Sequence, residues 1–221
     1  MGFFLAFEGP EGSGKSTQAK LLAETLVAAG HNVVRTREPG GTPISERVRT
    51  VLLDHASYAM LPQTEALLYA AARAQLVGQV IRPALEEGAI VICDRYVDSS
   101  LAYQVGGRGL PFEDVLGIQR LATGGLWPDL RVLLDLPVDV GLSRRFEAGD
   151  PVNRLDIASR EFHERVRACY LELAAREPDR WLVLNAEEPV EALASRIAAE
   201  VETRLLARTD GLATTTIGGG E

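Results

Sequence analysis

The stretch Gly9-Pro10-Glu11-Gly12-Ser13-Gly14-Lys15-Ser16 limits what this chain can fold into more than any other. An apolar run, Phe3-Phe4-Leu5-Ala6-Phe7, precedes it, and an amphipathic segment, Gln18 to Ala29, follows. The order is strand, glycine-rich turn, helix, with G-x-x-x-x-G-K-S in the turn. The glycines let successive backbone N–H groups curl round a phosphate, and the helix adds its positive N-terminal end. Lys15 can then reach the outer phosphates of a nucleotide. The Ser16 hydroxyl can ligate Mg²⁺, with Thr17 beside it at the phosphates. A glycine turn that merely starts a helix is the alternative; the flanking strand and helix favour the phosphate-binding loop.

Strand and helix patterns alternate along the rest of the chain. Asn32 to Thr36 reads as a strand, after Gly30 as the cap of the preceding helix. Thr42 and Pro43 open a helix to about Leu53 as N-cap and first helical residue. Pro62 opens a long helix to Glu87, which Pro83 is expected to kink. Ala89 to Cys93 and Leu130 to Leu134 are continuous apolar runs, the pattern of strands buried on both faces, closed by Asp94 and Asp135. Helices are expected over Phe112 to Thr123, Val138 to Phe146 and Ser159 to Arg176. Trp181 to Leu184 makes a fifth strand, and the apolar stripe from Val190 to Leu205 a last helix. This alternation predicts an α/β fold of three layers around a mainly parallel sheet of five strands flanked by helices. Residues 1–208 form one domain, and the Thr- and Gly-rich stretch 209–221 is expected to be disordered. Ligands of such sheets sit beyond the carboxyl ends of the strands, where Glu8 to Ser16, Arg37-Glu38 and Asp94-Arg95 fall.

A net charge of −8 leaves no general field for nucleic acid or an anionic membrane, so any phosphate must be held by a local group of Lys and Arg. Cys93 and Cys169 are too few and too far apart for a disulfide framework or a zinc site, and are read as buried thiols of a reducing compartment. No apolar stretch reaches membrane length, and the start shows neither a basic region nor a cleavage site. The chain is therefore expected in the cytoplasm.

Two further features narrow the chemistry. Asp94-Arg95-Tyr96 follows a buried strand, so Asp94 can hold Mg²⁺ through water while Arg95 grips a second phosphate. A surface acid–arginine pair closing a strand is the other reading. The polar stretch at about 147–156, with Arg144 and Arg145 before it and Arg154 within it, suits a short arginine-bearing lid for phosphoryl transfer. An ordinary loop with solvated arginines is its alternative.

Taken together the motifs resemble the thymidylate kinase family of P-loop nucleoside monophosphate kinases, over roughly Phe3 to Leu205. They are the loop with Glu11 at its third position, Arg37-Glu38-Pro39-Gly40-Gly41-Thr42, and Leu68-Tyr69-Ala70-Ala71-Ala72-Arg73-Ala74-Gln75. The longest runs from Asp94 to Gln104, followed by Gly106-Gly107-Arg108-Gly109, Trp127-Pro128-Asp129-Leu130 and Leu134-Asp135-Leu136-Pro137. The resemblance implies a P-loop NTPase fold with a short lid, and transfer of a phosphoryl group from ATP to dTMP with Mg²⁺. It implies that Gly9, Pro10, Glu11, Gly12, Ser13, Gly14, Lys15, Ser16, Thr17 and Arg144 bind ATP, and that Ser16 and Asp94 hold the metal. On the acceptor side it implies Arg95 at the monophosphate, Tyr69 stacked on the thymine and Arg73 bonded to a base carbonyl. Ser99, Ser100 and Gln104 are candidates for further base contacts, with Tyr103 against the sugar where a 2′-hydroxyl would clash and Glu38 and Pro39 lining the pocket. Glu11 would accept from a sugar hydroxyl or pair with Arg95. Lys15, Arg95, Glu11 and Arg154 would be catalytic. Gly12 occupies the place of a loop arginine found in another branch, which moves the catalytic arginine to the lid, best matched by Arg154 with Arg144 and Arg145 in support. A homodimer is implied as well. A kinase for dUMP, another monophosphate or a nucleoside is the nearest alternative, and a nucleotide sensor without turnover the alternative from another class.

Overall fold

The computed structural model describes residues 2–149 and 152–215. The five strands are β1 (Phe3–Glu8), β2 (Val33–Arg37), β3 (Ile90–Asp94), β4 (Leu130–Asp135) and β5 (Trp181–Asn185), all parallel, in the order β2-β3-β1-β4-β5. Phe7 stands beside Asp94, and Asp94 beside Arg37. The register therefore brings the carboxyl ends of β1, β2 and β3 to one level. The connection leaving β1 goes to one side of it and the one leaving β3 crosses to the other, so a crevice opens between them, the place where ligands bind open α/β sheets.

Alternate residues of the central strands build two cores. Phe3, Leu5 and Phe7 pack with Ile90, Ile92, Val132 and Leu134 against α1 (Lys15–Ala28) and α9 (Val190–Thr215). Phe4 and Ala6 pack with Val91, Cys93 and Leu133 on the other face, against residues of α3 (Pro62–Leu76) and α8 (Arg160–Arg176). Both faces of β1 are buried along its whole length, which is why it reads as an unbroken apolar run. Leu85 of α4 (Arg82–Glu86), Val97 of α5 (Val97–Ser100) and Val115 of α6 (Phe112–Thr123) join this second core, α2 (Pro43–Leu53) packs on α3, and Val140 of α7 (Val138–Glu147) packs against the first core. Thr42 caps α2 as expected, its hydroxyl accepting from the Ser45 amide at 3.1 Å.

Three stretches refine, add to or correct the sequence reading. The helix from Pro62 is regular only to Leu76; a wide turn, Val77–Ile81, separates it from α4. Pro83 offers no N–H and its ring crowds the turn before it, so the irregularity falls just ahead of the proline. The motif after Asp94 is helical: α5 continues as a wide helical stretch, Leu101–Gly107. Residues 96–104 are buried on every side, so they show no amphipathic period. The last helix runs to Thr215, so residues 209–215 of the expected disordered tail belong to a helix. The rest of that tail, 216–221, and Asp150 and Pro151 of the expected lid lie outside the described residues.

Candidate active site

The loop between β1 and α1 does what its glycines predict. Gly14 takes the left-handed conformation, φ 87°, as the N-cap of α1, and no side chain caps that helix among the described residues. Its first N–H groups are left for an anion. Lys15 is buried, with Nζ donating to the Pro10 carbonyl at 2.6 Å and to Ser13 Oγ at 3.1 Å. Burial and the nearby Arg95 push its ammonium down to about 8, against the pull of Glu11, Asp94 and Glu8. Gly12 is a steric necessity. Its φ is +69°, and a Cβ there would stand 2.1 Å from the Gly141 carbonyl of α7. No side chain, arginine included, can occupy the place.

Ser16 donates its hydroxyl to Asp94 Oδ2, so the first turn of α1 and the end of β3 present two hard oxygen donors together. These side chains border an open cleft of about 420 Å³ lined by the loop from Glu11 to Thr17, by Arg37, Asp94 and Arg95, and by Arg144 and Arg145 of α7. Gly9 and Pro10 are not on its wall.

A second, smaller cavity of about 110 Å³ adjoins it. Its wall comes from Glu38 and Pro39 after β2, Arg49 and Leu53 of α2, Tyr69 of α3, Ser99, Ser100, Tyr103 and Gln104 of the buried helix, and Asn153 and Leu155 of the lid. Glu11 and Arg95 belong to both. Arg95 Nη2 pairs with Glu11 Oε2 at 2.9 Å, its guanidinium lies 5.2 Å from the Tyr103 ring centre, and the Tyr103 hydroxyl donates to Glu11 Oε1 at 2.8 Å. Burial alone would raise the Glu11 carboxyl, but Arg95, Lys15 and the Tyr103 hydroxyl hold it down at about 2. An acid in an anion-binding loop is thus neutralised by the arginine above it. Burial pushes the Tyr69 and Tyr103 phenols up, so both are neutral hydrogen-bonding groups at any working pH.

Two expected site residues lie elsewhere. Arg73 is buried behind the cavity, and its five N–H groups all meet protein acceptors: Glu38, Ser100, Gln119 and the Tyr96 carbonyl. In this arrangement it holds Glu38 and Ser100 on the cavity wall and does not itself reach the base site. The physical reason is charge: burial raises the Glu38 carboxyl, and the arginine is the cation that compensates it. Arg154 does not border the phosphate cleft either. It pairs with the buried Glu65 of α3 at 2.6 Å and donates to the Leu52 carbonyl at 3.2 Å. Glu65 also receives Gln104 at 3.0 Å and Arg108 at 3.0 Å, so the helical stretch after α5 and the lid converge on one carboxylate of α3. The His55 ring meets the Val152 carbonyl at 2.7 Å, fastening the lid a second time. Arg144 and Arg145 are the lid-side arginines at the cleft. The first donates to the Ala186 carbonyl at 2.9 Å, and the second pairs with Asp156 at 2.9 Å.

Sequence reading missed Arg49, Leu53, Asn153 and Leu155. Arg49 and Asn153 border both cavities. Arg49 stands one turn after Ser45 and Glu46 on α2, and only the packing of α2 beside the loop after β2 brings it to the site: its Nη1 donates to the Pro39 carbonyl at 2.9 Å.

A phosphate-binding loop after the first strand, the order β2-β3-β1-β4-β5 and a second cavity sharing an arginine define a P-loop NTPase of the small-substrate kinase class. Known proteins agree. The sequence model of the family described as thymidylate kinase matches residues 7–197. Thymidylate kinase of Thermomicrobium roseum is 54% identical over 201 residues, 91% of this chain and 95% of the relative. That of Deinococcus radiodurans is 53% identical over 203 residues, 92% and 98% of the two chains. That of Geobacter sulfurreducens is 51% identical over 203 residues, 90% and 95%. The chain belongs to the thymidylate kinase family.

Proposed function

We propose that this chain transfers the γ-phosphoryl group of ATP to dTMP, giving ADP and dTDP on the route to dTTP for DNA replication. The observation that carries the reading is the pair of cavities joined at Glu11, Glu38, Arg49, Arg95 and Asn153. A donor phosphate over the loop amides and an acceptor phosphate at Arg95 and Arg49 would face one another across that junction. An acceptor phosphate is already an anionic nucleophile, so the site needs no general base; positioning and charge stabilisation do the chemistry. Lys15 and Arg95 supply positive charge from the floor, and Arg144 and Arg145 from the lid side, taking in this arrangement the part expected of Arg154.

Ser16 and Asp94 are the residues that would hold Mg²⁺, since their oxygens suit a hard cation and already face each other on the cleft wall. Bound with ATP, that ion neutralises charge on the phosphoryl oxygens. In the smaller cavity Tyr69 offers a face for the thymine ring, and Ser100 and Gln104 a polar edge for the base. Tyr103, held by Glu11 and Arg95, would meet a 2′-hydroxyl on the acceptor sugar and so select against it. The cytoplasm is the inferred compartment, which suits the two free thiols. Exposed Leu67 on α3 and Leu121 on α6 suit the helix-packed homodimer inferred from the family.

A coupled ADP-release assay with ATP and Mg²⁺ against dTMP, dUMP, UMP, CMP, AMP and thymidine tests the reading. Turnover with dTMP, less with dUMP and little with the others is expected. Preference for another acceptor would keep the kinase and remove the thymidylate assignment, and nucleotide binding without any turnover would favour a sensor.

A further inference from the structure

Glu8 borders neither cavity, yet it is fully buried at the end of β1 and carries three hydrogen bonds. The Tyr96 amide donates to Oε1 at 2.9 Å. The Ser99 hydroxyl of α5 and the Tyr170 hydroxyl of α8 donate to Oε2 at 2.5 and 3.0 Å. Just before Tyr96 stands Arg95, which among the described non-glycine residues alone has a positive φ, 70°. A long side chain rarely adopts that conformation, and it persists only where the surroundings over-determine it.

They do so here. The Arg95 amide donates to the Phe7 carbonyl at 2.9 Å, and the Arg95 carbonyl accepts from Cys93 Sγ at 3.0 Å. Glu8 fixes the next amide. The turn sets a direction: it sends the guanidinium over the phosphate loop, where Nη1 donates to the Gly9 carbonyl at 3.1 Å and Nη2 meets Glu11. Tyr170, already tied to Glu8, also accepts from Arg95 Nη1 at 3.4 Å. Without Glu8, three buried donors would lose their acceptor at the point where the chain is bent.

We propose that Glu8 is a positioning residue: its buried carboxylate fixes the left-handed turn at Arg95 and so aims the guanidinium at the acceptor phosphate. The inference rests on the reading of Arg95 as the acceptor-phosphate group. It deepens that reading by naming the group that makes Arg95 a rigid contact rather than a flexible surface arginine.

The carboxylate form matters because it accepts all three bonds at once, whereas a protonated carboxyl turns one oxygen into a donor and makes the Ser99 or Tyr170 hydroxyl reverse to receive it. Burial and the neighbouring Asp98 of α5 push Glu8 up to about 7, partly countered by Ser99, Arg95 and the Tyr96 amide. The other charged or titratable groups facing it are Lys15 of α1, Arg73 of α3, Cys93 of β3 and Tyr170 of α8. The raised value means that the folded chain favours the proton, so the aim of Arg95 is secured as pH rises through about 7 and loosened below it.

The test is the dissociation constant of dTMP without ATP, by calorimetry, for the wild type, Glu8→Gln and Arg95→Ala. ATP affinity and thermal unfolding are recorded alongside. Glu8→Gln keeps the volume and one acceptor, so the fold survives it. It is expected to weaken dTMP about tenfold at pH 8 and leave ATP within about twofold, while Arg95→Ala weakens dTMP about a hundredfold. The loss in Glu8→Gln should shrink toward nothing near pH 6, where wild-type Glu8 is itself protonated; comparison with the wild type at each pH cancels the titration of dTMP. Wild-type dTMP affinity in Glu8→Gln, or equal loss of dTMP and ATP affinity, or the same ratio at both pH values, would overturn the proposal and leave the reading of Arg95 intact. Wild-type dTMP affinity in Arg95→Ala would remove that reading and the proposal with it.

Discussion

The donor cleft and the acceptor cavity meet at Arg95 and are built in opposite ways. The cleft rests on backbone from one continuous stretch, Glu11 to Thr17, at the start of one helix, and stays open at about 420 Å³. The cavity, about 110 Å³, is assembled from side chains of α2, α3, the buried helix after β3 and the lid. A phosphate presents the same oxygens whatever it is attached to, so amide groups and a lysine suffice to hold it. A base and a sugar must be told from near relatives, and that takes side chains converging from distant parts of the chain.

The largest expected effect lies on the donor side. Lys15→Ala should lower kcat about 10³-fold, because one preorganised cation at the transferred group disappears. The acceptor KM should stay within about threefold. Steady-state kinetics with each substrate varied in turn checks this, and an equal rise in the KM of dTMP would break the division between the two regions.

Next in size is the clasp behind the cavity. Glu65 and Arg154 are both buried, so removing either partner leaves the other uncompensated. Glu65→Gln and Arg154→Ala should each cost about 2–3 kcal/mol of stability, and the double variant little more than one of them. Chemical denaturation and kcat measured on all four proteins form the cycle. If Arg154→Ala lowers kcat by a further factor in a Glu65→Gln background, Arg154 reaches the phosphates during turnover and the position seen here is one of two.

Legibility followed the same division. The loop from Gly9 to Ser16 could be read because its residues are neighbours and each has a local physical task. The buried strands could be read because a sheet covered on both faces writes itself as apolar runs, as at Ile90–Cys93. Tyr69, Tyr103 and Glu38 could be placed only through the family resemblance, since nothing local distinguishes them from structural residues. Arg49 was passed over because its helix shows an ordinary polar face, and only tertiary packing turns that face toward the Pro39 carbonyl. Arg73 and Arg154 were named, but their partners, Glu38 and Glu65, lie 35 residues away in one case and in a distant helix in the other. Sequence spacing gives no sign that a guanidinium is already saturated.

A smaller effect separates stacking from phosphate holding. Tyr69→Leu removes an aromatic face worth about 1–2 kcal/mol per stacked base, so the KM of dTMP should rise about tenfold. The KM of ATP should not move. A parallel rise in both would mean that the residue supports the fold of α3 rather than the base.

The smallest effect sharpens the donor side alone. With no phosphate to hold, Lys15 is folded back on the loop, and burial with Arg95 nearby has lowered it to about 8 from the usual 10.5. An incoming triphosphate brings negative charge to the ammonium and must raise that value again. Between about pH 8 and the raised value, then, the free protein holds fewer protons on Lys15 than the complex does. Binding takes up a proton there, and affinity falls as pH rises, by at most tenfold per pH unit. The phosphates of ATP titrate near pH 6 and do not interfere in this range. Calorimetry at about pH 9 in two buffers of different ionisation enthalpy reads the uptake directly. Affinity constant from pH 7 to pH 9 with no proton taken up would mean that Lys15 stays fully charged in the free protein, and that the loop holds it by hydrogen bonds alone.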